Sequence, residues 1–347
     1  MTDFVPPSTQ RISDLLTGLL DQGYDNAVSP VVRAIANDLT DSALTKALDA
    51  LDKEAARLEA LGEQMQPDNP VFRMLMSDLR DALQNEAVLI NGVSADIVGT
   101  GIDAAGVAVR QLAIGDLTDG QLRLIGIEWN NPDPEAVRAL VDYTRTGAWR
   151  DMFNAYPTDL SDTIAQIAIR GMIDGDGPRT IARVLRDHVD TLLPYQADTL
   201  MRTLQLTSYR DAAVAHRLSN ADILSEQIRI AALDDRTCLC CLALHGKHYP
   251  IDERIDDHPN GRCDSITVVR GFEGERNIET GQDWFDALSP ERQREMMGDS
   301  AYAAYKAGDV TLADFVGTRT DDVFGRQVYE QSLKGVLGDS AQRYYAA

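Results

Sequence analysis

The sequence predicts a mainly α-helical protein with a small β-containing region, an α+β chain with long N-terminal helices, a helical core and one compact knob of short strands. Three observations carry this. Leucines recur at helical spacing over long stretches of the first half. Alternating, β-branched runs appear only after Asn220. All four cysteines and three of the five histidines fall in "TCLCCLALHGKHYPIDERIDDHPNGRC", residues 237–263, which lies among those runs. Three regions are expected: an N-terminal helical region 1–130, a core 131–276 carrying the Cys/His knob, and a C-terminal helical segment with a tail, 277–347.

The chain opens with "MTDFVPPSTQ", read as a free arm because Pro6 and Pro7 block regular structure. It lacks the basic and apolar stretches of a signal peptide. Synthesis in a reducing cytoplasm is therefore expected, where clustered cysteines favour metal or catalysis over structural disulfides. In residues 41–64, Leu44, Leu48, Leu51, Leu58 and Leu61 recur at spacings of three, four and seven, the period of one helix face. After the turn "QPDNP", a second periodic stretch runs from Val71 towards Ile114, with a bend expected near Asn91-Gly92 or Gly99 to Gly101. The pair predicts a helical hairpin, either plain scaffold or a docking surface for a ring-shaped partner. Residues 87–114 are apolar, but Asp96, Asp103 and Arg110 interrupt them and are costly at a bilayer centre. A buried helix packed through small residues is expected, with no membrane span.

"WNNPDPEA", residues 129–136, reads as a boundary, with Asp133 as a cap and Pro134 at a first helical position. Helices follow over 134–146, 159–172, 178–189 and 195–218. Asp174 and Asp176 in "GMIDGDGPRT" resemble the start of a calcium loop, but the twelfth position is Leu185 and not glutamate, so a solvated turn is expected. "EQIRIAAL" at 226–233, "KHY" and residues 264–270 predict short strands. In "LSPERQREMMG", Ser289 caps a helix, Pro290 starts it and Gly298 stops it. The tail is read as a short helix and a loose end.

The net charge is −22, and residues 1–130 carry nine Lys/Arg against twenty Asp/Glu. Non-specific DNA binding needs several cations to neutralise phosphates. No basic arm or stripe offers them, so protein partners are expected and strong direct nucleic-acid binding is not.

Within the cluster, Cys238 and Cys241 form C-x2-C, and His258 and Cys263 form H-x4-C sixteen residues later. Zinc takes four sulfur or nitrogen ligands in a tetrahedron, and short paired spacings let one turn supply two. Asn260-Gly261 is a turn dipeptide that would fold the second pair inward. A structural zinc ion on Cys238, Cys241, His258 and Cys263 is the leading reading. A metal-free thiol cluster and a disulfide from Cys263 to Cys238 or Cys241 stand beside it. Cys240 reads as a spare thiol, and His245 and His248 as substitutes for His258. A catalytic role is weaker. "DDHPNGR" is similar to the His-Asn core of ββα-metal nucleases, but no histidine follows His258 to complete such a site. Glu253, Asp256 and Asp257 are expected to be solvated turn carboxylates.

"LDDRTCLCCLALHGKHYPIDERIDDHPNGRC" resembles the signature of the phage Mu F-like head-morphogenesis (minor head protein) family. Asp234, Arg236, Thr237, Cys238 and Cys241 match its first part. Leu244, Gly246 and Lys247 match the second, and His258, Pro259, Asn260, Arg262 and Cys263 the third. Gly261 stands where the family usually has a cysteine. Upstream, Arg202-Thr203 match an expected pair, with Leu204 in place of the usual glutamate. The resemblance extends over about residues 134–316 and leaves the N-terminal helices unmatched. It implies a structural minor capsid protein of a tailed phage or prophage, present in few copies in the capsid interior near the portal. Its partners would be the portal and other capsid proteins, and its role procapsid assembly, DNA packaging or ejection. The alternative is a virion-delivered enzyme, a nuclease or transferase, using the Cys/His site.

Overall fold

The structure, a computed structural model, describes residues 43–115, 118–124, 126–133, 148–234, 236–271, 278–321 and 325–345, with shorter pieces between 18 and 34 and at 135, 136 and 139. The predicted N-terminal arm and most of the predicted helix 134–146 lie outside the described residues. The architecture is mainly helical with two small antiparallel sheets. The chain divides into two compact units: Tyr24–Val98 with Val141–Leu204, and Met1–Gly23 with Gly99–Leu140 and Gln205–Ala347.

The first of these units is built from α1 (Ala43–Leu61), the beginning of α2 (Pro70–Ile114), α4 (Ala148–Asp174) and the beginning of α5 (Pro178–Leu218). Leu44, Leu48, Leu51 and Leu58 are buried as their spacing requires, whereas Leu61, the last residue of α1, is exposed. In α2 the buried Phe72, Leu75, Leu79, Leu83, Ala87 and Ile90 form one stripe at spacings of three and four. Arg186 of α5 reaches Asp49 and Asp52 of α1 at 3.0 and 2.6 Å.

Three helix boundaries differ from expectation. The stretch 71–114 is one helix with no break at its glycines. The predicted 159–172 lies inside a longer α4 that continues through Pro157. The predicted 178–189 and 195–218 are one helix, α5. Local breakers lost to continuous helical packing in each case. Among the described residues, α2 is long and apolar enough to cross a membrane by length and composition, and 61% of its most apolar window is buried inside the protein. The turn at 175–177 joins α4 to α5 through Gly175 at φ +84°, with Asp174 and Asp176 exposed.

The second unit carries the rest of α2 and α5, α3 (Asp119–Leu124), and every strand. Here α2 meets α5 at close range. A Cβ on Gly101 would lie 2.6 Å from the Gln205 carbonyl oxygen and 3.0 Å from the Tyr209 nitrogen, and one on Gly106 would lie 3.1 Å from the His216 ring. Asn220, just past α5, exchanges two hydrogen bonds with the backbone of Asn130. Strand β1 (Leu224–Ile230) is central in a sheet ordered β2–β1–β3, with β2 at His248–Tyr249 and β3 at Asp264–Val269. Ile228 faces His248 on one side and Ile266 on the other. Helix α6 (Leu239–Leu244) sits between β1 and β2 in the chain.

After β3 come α7 (Gly281–Asp286), α8 (Pro290–Met297) and α9 (Asp299–Ala307). Ser289 caps α8 and Gly298 ends it, as predicted. Leu239 and Leu242 of α6 share a core with Phe285, Ala304, Leu312 and Phe315. The tail departs from its reading. A hairpin, β4 (Val316–Asp321) and β5 (Gly325–Glu330), precedes three short helical pieces over Leu333–Tyr345. Its polar alternation, with acidic residues at the turn, reads as loop. A cross-strand packing supports it instead: the Tyr329 ring occupies the space above Gly317, where a Cβ would lie 2.5 Å away.

Gly101→Ala places its methyl against backbone, which cannot rotate away, so a loss of about 1–3 kcal/mol is expected in urea titration. Gly92→Ala, with nothing within 4 Å, should be neutral or stabilising by about 0.5–1 kcal/mol. Equal effects of the two would refute the close approach.

Candidate metal centre

The cluster starts from one short helix. Cys238 is the N-cap of α6, and its sulfur accepts the Cys241 N–H at 3.4 Å. An N-cap acceptor reaching the third helical position is ordinary capping geometry. Here it also brings the two sulfurs of C-x2-C to one side. The carboxylate of Glu330, from β5, accepts the Leu239 N–H at 2.7 Å, so the hairpin supplies an anion to the same helix start. Before the helix, Asp234 accepts from Arg236 N and Thr237 Oγ1. It also takes a bidentate pair from Arg262, both bonds at 2.7 Å. That clamp ties the approach to Cys238 to the approach to Cys263.

Three of the four predicted ligands converge. His258 Nε2 stands 3.6 Å from both Cys238 Sγ and Cys241 Sγ, and the three ligand atoms lie within 4.8 Å of one another. The ring's other nitrogen, Nδ1, is 2.9 Å from the Pro259 carbonyl oxygen. A proton on Nδ1, donated to that carbonyl, leaves Nε2 with its lone pair towards the sulfurs, as in a ligating imidazole whose other nitrogen is hydrogen-bonded. Cys263 is gathered in a second set with Cys241 and Asp257, again within 4.8 Å. All four cysteines are free thiols. Cys240 packs with Leu244 and Val328. The two substitute histidines lie elsewhere. His245 is buried, accepts the Ala231 N–H at Nδ1, and is lowered by burial to about 4. His248 pairs with Glu226 at 3.0 Å.

The expectation that Asp257 is a solvated turn carboxylate is wrong: its side chain is 0% exposed. Oδ2 accepts from Arg210 Nη2 at 2.7 Å and Cys263 N at 3.2 Å. Oδ1 accepts from His258 N at 2.9 Å, with Arg229 Nη2 at 3.5 Å. Burial alone would raise this carboxyl, but the guanidiniums of Arg210 and Arg229 outweigh it and hold it below its usual range. The same arginines also donate to loop carbonyls. Arg210 serves Gly261 O and Cys263 O, and Arg229 serves Asp256 O. Arg217 reaches Ile251 O and Glu253 O, and Gln227 reaches Pro250 O and Glu253 O. The segment 250–263, which has no helix or strand, is thus held by side chains of α5 and β1.

These residues carry a signal that the sequence reading passed over. Arg210 and Arg217 are seven apart, on one helix face, and Gln227 and Arg229 share one strand face. A charge inside the apolar run "IRIAAL" needs a buried partner. Chemically, the centre is suited to binding and cross-linking. The thiols of Cys241 and Cys263 are pushed well above their ordinary range, Cys241 first by its bond with Cys238 and Cys263 first by its bond with Cys241. Nucleophilic attack and metal binding both need the thiolate, which these shifts disfavour until a cation displaces the proton.

Arg210→Leu leaves Asp257 short of its nearest cation and should cost about 3–5 kcal/mol in urea titration. Arg292→Ala, in an exposed pair with Glu295, should change stability by less than about 1 kcal/mol. The Asp234 carboxyl is lowered from 3.8 to about 2, chiefly by its bond from Arg262. A depressed carboxyl contributes stability above its unfolded value and loses it as pH falls through the folded one. The Tm gap between wild type and Asp234→Asn should therefore hold above pH 3.8 and close towards pH 2. A gap that stays constant across that window would rule out the clamp.

The family model described as Phage Mu protein F like protein matches residues 162–266. No curated protein and no solved structure matches the chain. The matched span takes in the end of α4, all of α5, β1, α6 and β2, and closes inside β3 with every cysteine included. Over residues 162–266, which contain the whole Cys/His centre, the chain is similar to the phage Mu F-like proteins.

Proposed function

We propose that the protein is a structural minor head protein of a tailed phage or prophage, acting in head morphogenesis at the portal. In this reading it is built into the procapsid in few copies, lies inside the capsid, and contacts the portal and other capsid proteins during DNA packaging or ejection. The observation that carries it is the Mu F-like match over residues 162–266. Its acidic character also suits a protein that must work beside packaged DNA without gripping it. No activity is assigned, because the Mu F-like match supports a structural head protein.

We further propose that the centre binds a structural zinc ion through Cys238, Cys241 and His258, with its remaining corner supplied from the Cys263 and Asp257 side. The donor set supports this. Zinc bonds of about 2.3 Å to sulfur and about 2.0–2.1 Å to nitrogen put tetrahedral S–N corners about 3.5 Å apart. Both sulfurs stand 3.6 Å from His258 Nε2. Such an ion would cross-link α6 to the 250–263 loop and contribute to folding directly.

Two measurements test these readings. Purified heads should contain the protein, and portal isolated from them should carry it along; heads that lack it would refute the virion role. Metal analysis of the reduced protein should find one zinc per chain, lost in Cys238→Ser together with several degrees of Tm. Equal zinc in both would remove the site.

A further inference from the structure

We infer that the fourth corner of the ion's tetrahedron is the Asp257 carboxylate, through Oδ1, and that Cys263 remains a buried thiol outside the coordination shell. This rests on the zinc reading above and specifies its ligands.

The distances point to the carboxylate. Asp257 Oδ1 lies 3.7 Å from His258 Nε2 and 3.8 Å from Cys241 Sγ. The two sulfurs stand 3.6 Å from the same nitrogen. Tetrahedral zinc corners lie about 3.3–3.8 Å apart for these donors, so Oδ1 stands at corner distance from two of the three other ligands, His258 and Cys241. Carboxylate oxygen is within zinc's ordinary donor range.

The bonding pattern leaves this oxygen available. Oδ2 is occupied by the two firm bonds from Arg210 and Cys263 N. Oδ1 has one short bond, from His258 N, while Arg229 stands off at 3.5 Å. A carboxylate oxygen has two lone pairs, and the Cys241 thiol that now points at Oδ1 from 3.8 Å releases its proton to solvent on binding a metal, which frees that direction for the cation. Arg210 and Arg229 are then the outer partners that orient a ligating carboxylate.

The turn is shaped around the carboxylate as well. A Cβ on Gly261 would fall 2.3–2.4 Å from Asp257 Cγ and both its oxygens. Asn260 adopts φ +63° beside it. Residue 261 is bare because Asp257 fills that volume. Cys263 packs against Ala231 and Cys241, its thiol hydrogen-bonded to that of Cys241, and its backbone N–H donates to Asp257 Oδ2; it is grouped with Cys241 and Asp257 and not with Cys238 and His258.

X-ray absorption at the zinc edge of the reduced, full-length, zinc-loaded protein counts sulfurs directly. The expected shell is two sulfurs at about 2.3 Å and two nitrogen or oxygen atoms at about 2.0–2.1 Å. Cys263→Ser should keep its zinc with affinity within about threefold and the same shell. Asp257→Asn should bind zinc at least about 100-fold more weakly, beyond the usual range for an outer partner. Three sulfurs in the wild-type shell, or loss of zinc from Cys263→Ser, overturns the assignment while leaving the zinc reading intact. So does a folded Asp257→Asn that binds zinc as tightly as wild type. Should Asp257→Asn fail to fold, the sulfur count and Cys263→Ser decide alone. A wild-type protein that takes up no zinc at all sinks both readings.

Discussion

One buried carboxylate organises the centre. Asp257 has no contact with solvent, and a lone ion there would be prohibitively costly. It persists because Arg210 from a helix and Arg229 from a strand converge on it while two backbone N–H groups also donate to it. Such a pair is weak evidence of net stability, since desolvation consumes most of the Coulomb gain. Its value here is positional. The carboxylate has one place where all its donors meet, and that place fixes His258 and Cys263 on either side of it. Removing one partner leaves the others unsatisfied, so the site is held by mutual need and not by the strength of any one bond.

The same logic extends to the loop around it. Residues 250–263 form no ladder, yet several of their carbonyls accept from buried side chains, as buried backbone acceptors must be paired. The partners come from two rigid elements. Arg210 and Arg217 project from one face of α5, and Gln227 and Arg229 from one face of β1. This places strict demands on α5, whose register against α2 is set where Gly101 and Gly106 allow close approach. A glycine in a helix some distance away in sequence thereby bears on where a carbonyl of the Cys/His loop finds its donor.

What could be read from the sequence follows the range of the forces involved. The amphipathic helices were legible because their leucine period is local, and the three strands of the central sheet because β-branched alternation is local too. The pairing of Cys238 with Cys241 was legible from spacing, since capping chemistry acts within a few residues, whereas their meeting with His258 spans 17 and 20 positions. Asp257 was misread because its environment is made by residues 28 and 47 positions away, and an Asp-Asp turn looks solvated to any local rule. The β4–β5 hairpin escaped for a related reason. Its strands are polar, and what favours them is the Tyr329 ring seated over Gly317 and the contacts of Cys240 and Leu244 with Val328. The joined helix α5 shows the reverse case, a local break overridden by the surrounding packing.

Helix α6 shows how these constraints combine. Six residues are far too few for a helix to stand alone, because nucleation alone outweighs so few bonds. It is held at its start by the Cys238 sulfur and the Glu330 carboxylate, which satisfy N–H groups that have no partner within the helix. It is held on its flank by α7, which approaches so closely that a Cβ on Gly281 would overlap the Leu242 carbonyl. Its apolar face is sealed by Phe285 and Phe315. Apart from the Cys238 cap, each support comes from a segment distant in sequence, so the fold around α6 sets the positions of Cys238 and Cys241. On the other side, Asp257 and its arginines position His258. The two halves, joined by the Asp234–Arg262 clamp and by Arg229 against Cys241, meet with Cys238, Cys241 and His258 at near-coordination distances. A site preorganised in this way asks little further ordering of the chain when a cation binds, so more of the binding energy would remain to stabilise the join between them.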